Sequence, residues 1–134
     1  MNIDRLIRPV FWLSAVFNLG AAFLFAFPAT PLGQWIGLPS PVPVVYSGLV
    51  ALFVALFGGM YAWLAMQAVL PRPMVALAAI GKTLAFLLAT ILWFAGEVSG
   101  RLAQLSVGDL LLAAIYLRWL AVRNEIKPVL GVRI

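Results

Sequence analysis

The chain has 134 residues, of which 65% are hydrophobic and 10% charged, and its mean hydropathy is +1.10. Soluble domains carry about 25% charged residues, so the composition excludes an ordinary soluble core and points to a single integral membrane domain over residues 1–134. Nine Lys and Arg against four Asp and Glu give +5, but the basic residues flank apolar stretches instead of clustering, which fits orientation in a membrane and anionic lipid head groups and excludes nucleic acid as a partner. Cysteine and histidine are both absent, which excludes disulfides, thiol chemistry, Cys/His zinc sites and haem on a protein His or Cys. No cofactor and no metal are expected.

Met1–Arg8 is a short amphipathic lead carrying Arg5 and Arg8. Pro9 suits the first turn of a helix, where its missing N–H does no harm. Pro9–Phe27 then runs uncharged for 19 residues, close to the length needed to span. A basic start before an apolar run also describes a signal peptide. The run is longer than a usual h-region, however, and its exit, AFPATP, lacks a small-x-small cleavage site, so it reads as a retained first span. Pro28–Pro43 holds five of the nine prolines and reads as a loop, within which LGQWIGL can lie on the membrane surface with Trp35 at head-group level.

Val44–Leu70 is a second span without charge over 27 residues, longer than an upright helix needs. Gly58-Gly59 near its middle permits close helix approach. Pro71-Arg72-Pro73 breaks the helix and turns the chain back into a third span, Met74–Phe94. Gly96–Gln104 reads as a polar loop in which Glu97 and Arg101 are spaced to pair. Ser106–Val122 is the fourth span, with Asp109 and Arg118 inside it. The tail is basic, and Pro128 stops any helix there.

These stretches predict an all-α, four-helix transmembrane bundle of up-down-up-down topology. Arg5, Arg8, Arg72, Arg123, Lys127 and Arg133 fall on one side and only Arg101 on the other. The asymmetry predicts cytoplasmic N and C termini in a bacterial-type inner membrane. Trp12 and Trp119 are expected near the inner boundary, Trp35 and Trp93 near the outer one.

Polar residues inside the spans are the candidates for function. At 1.5 Å of rise per residue, Lys82, Asn18 and Tyr61 all lie about 12–13 Å from the cytoplasmic end, and Asp109 about 20 Å. Three helices thus place polar groups at one level, which predicts a pocket or packed polar cluster of Asn18, Tyr61 and Lys82. Gly81, Ala85 and Ala89 form a small-xxx-small ridge for close packing on the third helix, and Ser14, Asn18 and Ala22 form a similar one on the first. Three arrangements of Lys82 are open. It can extend along its stem to the cytoplasmic head groups, which the sequence favours, it can receive an anionic head group or carboxylate as a ligand, or it can pair with Asp109.

Asp109 has a simpler reading. Ser106-Val-Gly-Asp109 fits a capping box at a helix start. Tyr116 lies seven residues on and shares the Asp109 face, whereas Arg118 lies on the opposite face and reaches lipid phosphates. Phe11, Phe17, Phe23, Phe25 and Phe27 read as lipid-facing or packing residues. Gly81-Lys82-Thr83 is not the end of a phosphate loop, because the upstream glycine is missing.

Gly58-Gly59-x-Tyr61, Pro71, Gly81-Lys82 and Asp109 together resemble the layout of a broad group of small bacterial four-span membrane proteins. The resemblance implies this architecture and no particular activity. Small multidrug transporters differ by an acidic residue in the first span, and fluoride channels by their Asn-x-x-Gly-Ser-Phe stretch. Glutathione-using membrane enzymes of the MAPEG type differ by an arginine-rich polar cluster.

Three functions follow. The favoured one is a non-catalytic membrane protein that packs against a partner subunit or a second copy, or holds a lipid-like molecule. The second is a small oligomeric transporter or channel using Lys82 and Asp109. The third is an intramembrane enzyme on a lipophilic substrate, for which only Lys82, Tyr61, Asp109 and Tyr116 are on offer, without a recognisable triad.

Overall fold

Long apolar runs fold as helices, and all regular structure among the described residues is helical. The structure is a computed structural model, and it describes residues 3–125. It contains α1 (Ile3–Ala26), α2 (Pro31–Ile36), α3 (Val44–Met66), α4 (Arg72–Phe94) and α5 (Gly100–Glu125). All except α2 are long and apolar enough to cross a membrane. Lys127, Pro128 and Arg133 lie outside the described residues.

The helix ends differ from the predicted ones for local reasons. α1 begins at Ile3, so Pro9 sits inside the helix and not in its first turn, and the carbonyl of Arg5 lacks its usual intrahelical donor. α3 stops at Met66, and Gln67 is extended at φ −70°, ψ 138°. Pro71 disfavours helix just before it. The Arg8 guanidinium supplies replacement bonds by donating to the carbonyls of Gln67 (2.7 Å) and Ala68 (3.2 Å), which serve the free end of α3. α5 begins at Gly100, because the Ser99 hydroxyl accepts from the Leu102 N–H at 3.2 Å. Ser99, not Ser106, therefore caps this helix. The expected Glu97–Arg101 pair does not form. Arg101 donates to the Trp35 carbonyl at 2.7 Å and lies 5.0 Å from its ring.

The proline-rich loop is ordered around α2. Thr30 caps it by accepting from Gly33 N–H (3.2 Å), and Pro31 occupies its first position. Gly37 ends it at φ 84°, a left-handed conformation that glycine adopts without strain. Gly33 lies against the chain leading in, where a Cβ would overlap the Pro28 carbonyl oxygen. Gly33→Ala should therefore lower stability by about 1–3 kcal/mol and shift the fluorescence of exposed Trp35. An unchanged melting temperature and spectrum would show that α2 can move aside freely.

Packing groups the long helices into two pairs. α1 lies along α3 and α4 along α5, while α1 and α5 meet mainly through long side chains. Each pair runs in opposite senses: Arg8 meets Gln67 while Asn18 meets Val54, and Arg72 meets Leu120 while Lys82 meets Asp109. The start of α1, the end of α3, the start of α4 and the end of α5 thus gather at one end.

Gly58 allows the α1–α3 approach, since its Cα faces Leu19 with room for no more than a tight contact. On α4 the expected Gly81-Ala85-Ala89 ridge is not the packed one, because Ala85 is exposed. The buried line is Val75, Ala78, Ala79 and Lys82, one helical face at i, i+3, i+4 and i+7. The core joins Phe11, Tyr61, Leu64, Val75, Tyr116 and Trp119, among others. Leu13, Val16, Phe23, Leu52, Phe53, Leu88 and Leu111 face outward, the apolar exterior that lipid solvates without penalty.

Candidate functional site

Two helices present matched columns across the seam between the pairs. On α1 the residues at seven-residue spacing are Asp4, Phe11 and Asn18, and on α5 they are Asp109, Tyr116 and Arg123. Because the helices run in opposite senses, Asp4 meets Arg123, Phe11 meets Tyr116, and Asn18 meets Asp109 through Lys82. A seven-residue period nearly repeats on one helix face, so the three layers stack along one seam.

The deepest layer is ionic. Lys82 on α4 is 2% exposed, and its Nζ donates to Asp109 Oδ1 and to Asn18 Oδ1, each at 2.6 Å. The rings of Phe17 and Tyr61 lie 4.9 Å and 5.2 Å from the same nitrogen, close enough for cation–π attraction. The Asn18 amide nitrogen points to the Val54 carbonyl of α3 at 3.4 Å. Groups from all four long helices therefore surround one ammonium. Burying it alone would be costly, and the carboxylate, the amide oxygen and two ring faces offset that cost.

The expected extension of Lys82 to the head groups is overturned. Measured from Arg72, Lys82 lies ten residues, about 15 Å, along its helix; Asp109 lies fourteen residues, about 21 Å, from Arg123. The lysine stem spans the remaining difference, and a direct bond to a carboxylate replaces the route to water. The capping role expected for Asp109 is overturned too. α5 starts nine residues earlier, so the N–H groups around Asp109 are already bonded within the helix and its carboxylate is free for Lys82.

The middle layer is aromatic. Tyr116 is fully buried and stacks on Phe11 with centroids 4.8 Å apart, and Tyr61 lies 6.3 Å away on its other flank. The Tyr116 hydroxyl and Ser14 Oγ share a hydrogen bond of 2.5 Å. At the end where α1 starts, Asp4 pairs with Arg123 and accepts from Trp119 Nε1 at 3.0 Å. Trp119 is therefore buried and bonded inside the seam.

The structure thus brings together Asn18, Tyr61, Lys82 and Asp109, and joins Tyr116 to them through Tyr61. The sequence reading left Phe17, Ser14, Asp4 and Arg123 out of the cluster. The signal that finds six seam positions, three on each helix, is the seven-residue spacing from Asp4 and from Asp109, read in opposite directions. Among the described residues no three Asp or Glu side chains gather to hold a metal ion. Comparison with protein-family models, with curated proteins and with solved structures finds no match.

Proposed function

We propose that the chain is a non-catalytic integral membrane protein whose interior charges clasp two helix pairs together, and that it acts through what packs on its lipid-facing surface: a partner subunit, a second copy or a lipid-like molecule. The carrying observation is that Lys82 is enclosed and bonded by this chain's own groups. That arrangement supports a clasp over an acid–base centre, which needs a reacting group within reach of substrate. Arg8, Arg72 and Arg123 gather at the end where α1 starts, and Arg101 lies at the other. This distribution supports a cytoplasmic placement of the first end in an inner membrane of bacterial type.

The test is the paired substitution Lys82→Met with Asp109→Leu, purified in phosphatidylcholine nanodiscs. Removing both charges takes away the desolvation cost with the attraction. Helicity and melting temperature close to wild type support the clasp, whereas collapse of the fold would refute a clasp that apolar packing can replace.

A transporter or channel is the second reading, favoured because an ionisable pair within a span is a common mark of an ion path. It predicts that the paired variant folds while a cation flux shown by wild-type proteoliposomes disappears. Equal flux through wild-type and variant vesicles would remove Lys82 and Asp109 from any path.

A further inference from the structure

The clasp uses only one oxygen of Asp109. Oδ1 receives the Lys82 ammonium, while Oδ2 receives no hydrogen bond from any described residue. Oδ2 is not among the buried unbonded atoms, and the carboxylate is 13% exposed against 2% for Lys82. This side of the pair is therefore not sealed inside the bundle, and with α5 read as a membrane span its surroundings are hydrocarbon and not water. An acceptor there draws any donor that can reach it.

The Phe17 ring stands beside the pair. Residue 108 is glycine and partly exposed, and a Cβ on it would stand 3.7 Å from the half-buried Phe17 ring. With no side chain at that position, a gap no wider than a methyl group separates α5 from that ring, next in sequence to Asp109. The charge balance then selects the ligand. Lys82 and Asp109 are neutral as a pair, whichever atom holds the shared proton. A second cation would bring an uncompensated charge into hydrocarbon, whereas a hydroxyl brings a donor and no charge.

We propose that Asp109 Oδ2, Gly108 and Phe17 form a binding site for a lipophilic alcohol: a neutral molecule with one hydroxyl donor on an apolar body. The inference rests on the reading of the chain as a membrane-spanning bundle and deepens it by naming a class of lipid-like ligand. The hydroxyl donates to Oδ2, and the apolar body lies along the seam between α1 and α5.

The test uses full-length protein labelled with 13Cγ-aspartate in nanodiscs of phosphatidylcholine, a lipid without a hydrogen-bond donor. The chain has two aspartates, Asp4 and Asp109, and the spectrum of Asp109→Asn assigns them. Titration with 1-dodecanol should shift the Asp109 signal saturably and leave Asp4 in place. Dodecyl methyl ether, of similar apolar length without the donor, should produce no shift. Gly108→Leu, which covers the Phe17 ring next to Asp109 and keeps the carboxylate, should weaken the response at least tenfold while helicity is retained.

Absence of a saturable shift, or an equal shift with the ether, overturns the proposal. So does tighter binding of dodecylammonium, which would mark a cation site. A probe-free shift that grows with protein concentration also overturns it, in favour of a donor from a second copy. Failure in any of these ways with helicity intact leaves the clasp standing, because the paired Lys82 and Asp109 substitution decides that reading separately.

Discussion

Lys82→Met alone should destabilise the folded chain by about 3–5 kcal/mol, because it strands the Asp109 carboxylate in a low-dielectric interior. Methionine fills a similar volume, so the loss is electrostatic and not a cavity effect. Asn18 loses its donor as well, and the Phe17 and Tyr61 faces lose their cation. Adding Asp109→Leu should recover most of the loss, since the stranded charge is then gone. Unfolding by sodium dodecyl sulfate in mixed micelles, followed by circular dichroism for both single variants and the double, measures the coupling. Single variants as stable as wild type would show that the pair contributes no net clasp. A double variant no better than the worse single would show that Lys82 or Asp109 holds the fold through a different contact.

Tyr116→Ala should cost a comparable amount, about 3–5 kcal/mol, for a different reason. The ring fills the centre of the seam between Phe11 and Tyr61, and its removal leaves a cavity whose walls lose their contacts. Tyr116→Phe keeps the ring and removes only the hydrogen bond with Ser14. That change should cost about 1 kcal/mol, because the Ser14 hydroxyl can turn back to a carbonyl of its own helix. The same denaturation assay separates the two terms. Equal losses for Tyr116→Phe and Tyr116→Ala would make the hydroxyl bond, and not the stacking, the main tie between the pairs.

The two effects meet in one structural feature. Within each pair the backbones lie side by side and small residues permit it, as Gly58 does against Leu19 and Ala78 and Ala79 do on the buried face of α4. Between the pairs the backbones stand further apart. The gap is filled by long side chains, and among them are the seam's hydrogen bonds: Asn18 to Lys82, Ser14 to Tyr116, and Asp4 to Trp119 and Arg123. In hydrocarbon, apolar surfaces gain little by meeting each other, since lipid tails solvate them equally well. Directional bonds and tight aromatic packing therefore carry more of the association between the pairs than they would in a water-soluble bundle.

Several readings failed where a choice depended on a neighbour in space. Ser106-x-x-Asp109 has the form of a cap, yet Ser99 caps the helix, and nothing in the local pattern ranks one serine above the other. Glu97 and Arg101 have pairing distance on a helix, but the Trp35 carbonyl of a distant loop claims Arg101. Each outcome was set by a competing partner brought close by the fold.

What the chain's residues determine by themselves is the all-helical architecture with four apolar helices of membrane-spanning length. Uninterrupted apolar runs must bond their backbones internally once water is excluded, and prolines at 28, 31, 39, 41, 43, 71 and 73 mark where two of the runs must break. The convergence of Asn18, Tyr61 and Lys82 was also legible, because rise per residue converts sequence distance into depth. Only the tertiary structure decided that Lys82 turns to Asp109 and not to the head groups, that Phe17 completes its surroundings, and that Asp109 stays partly exposed. Depth is a property of each helix alone. Azimuth depends on which helices pair and how each is rotated against its neighbour, and that is settled by packing over the whole bundle.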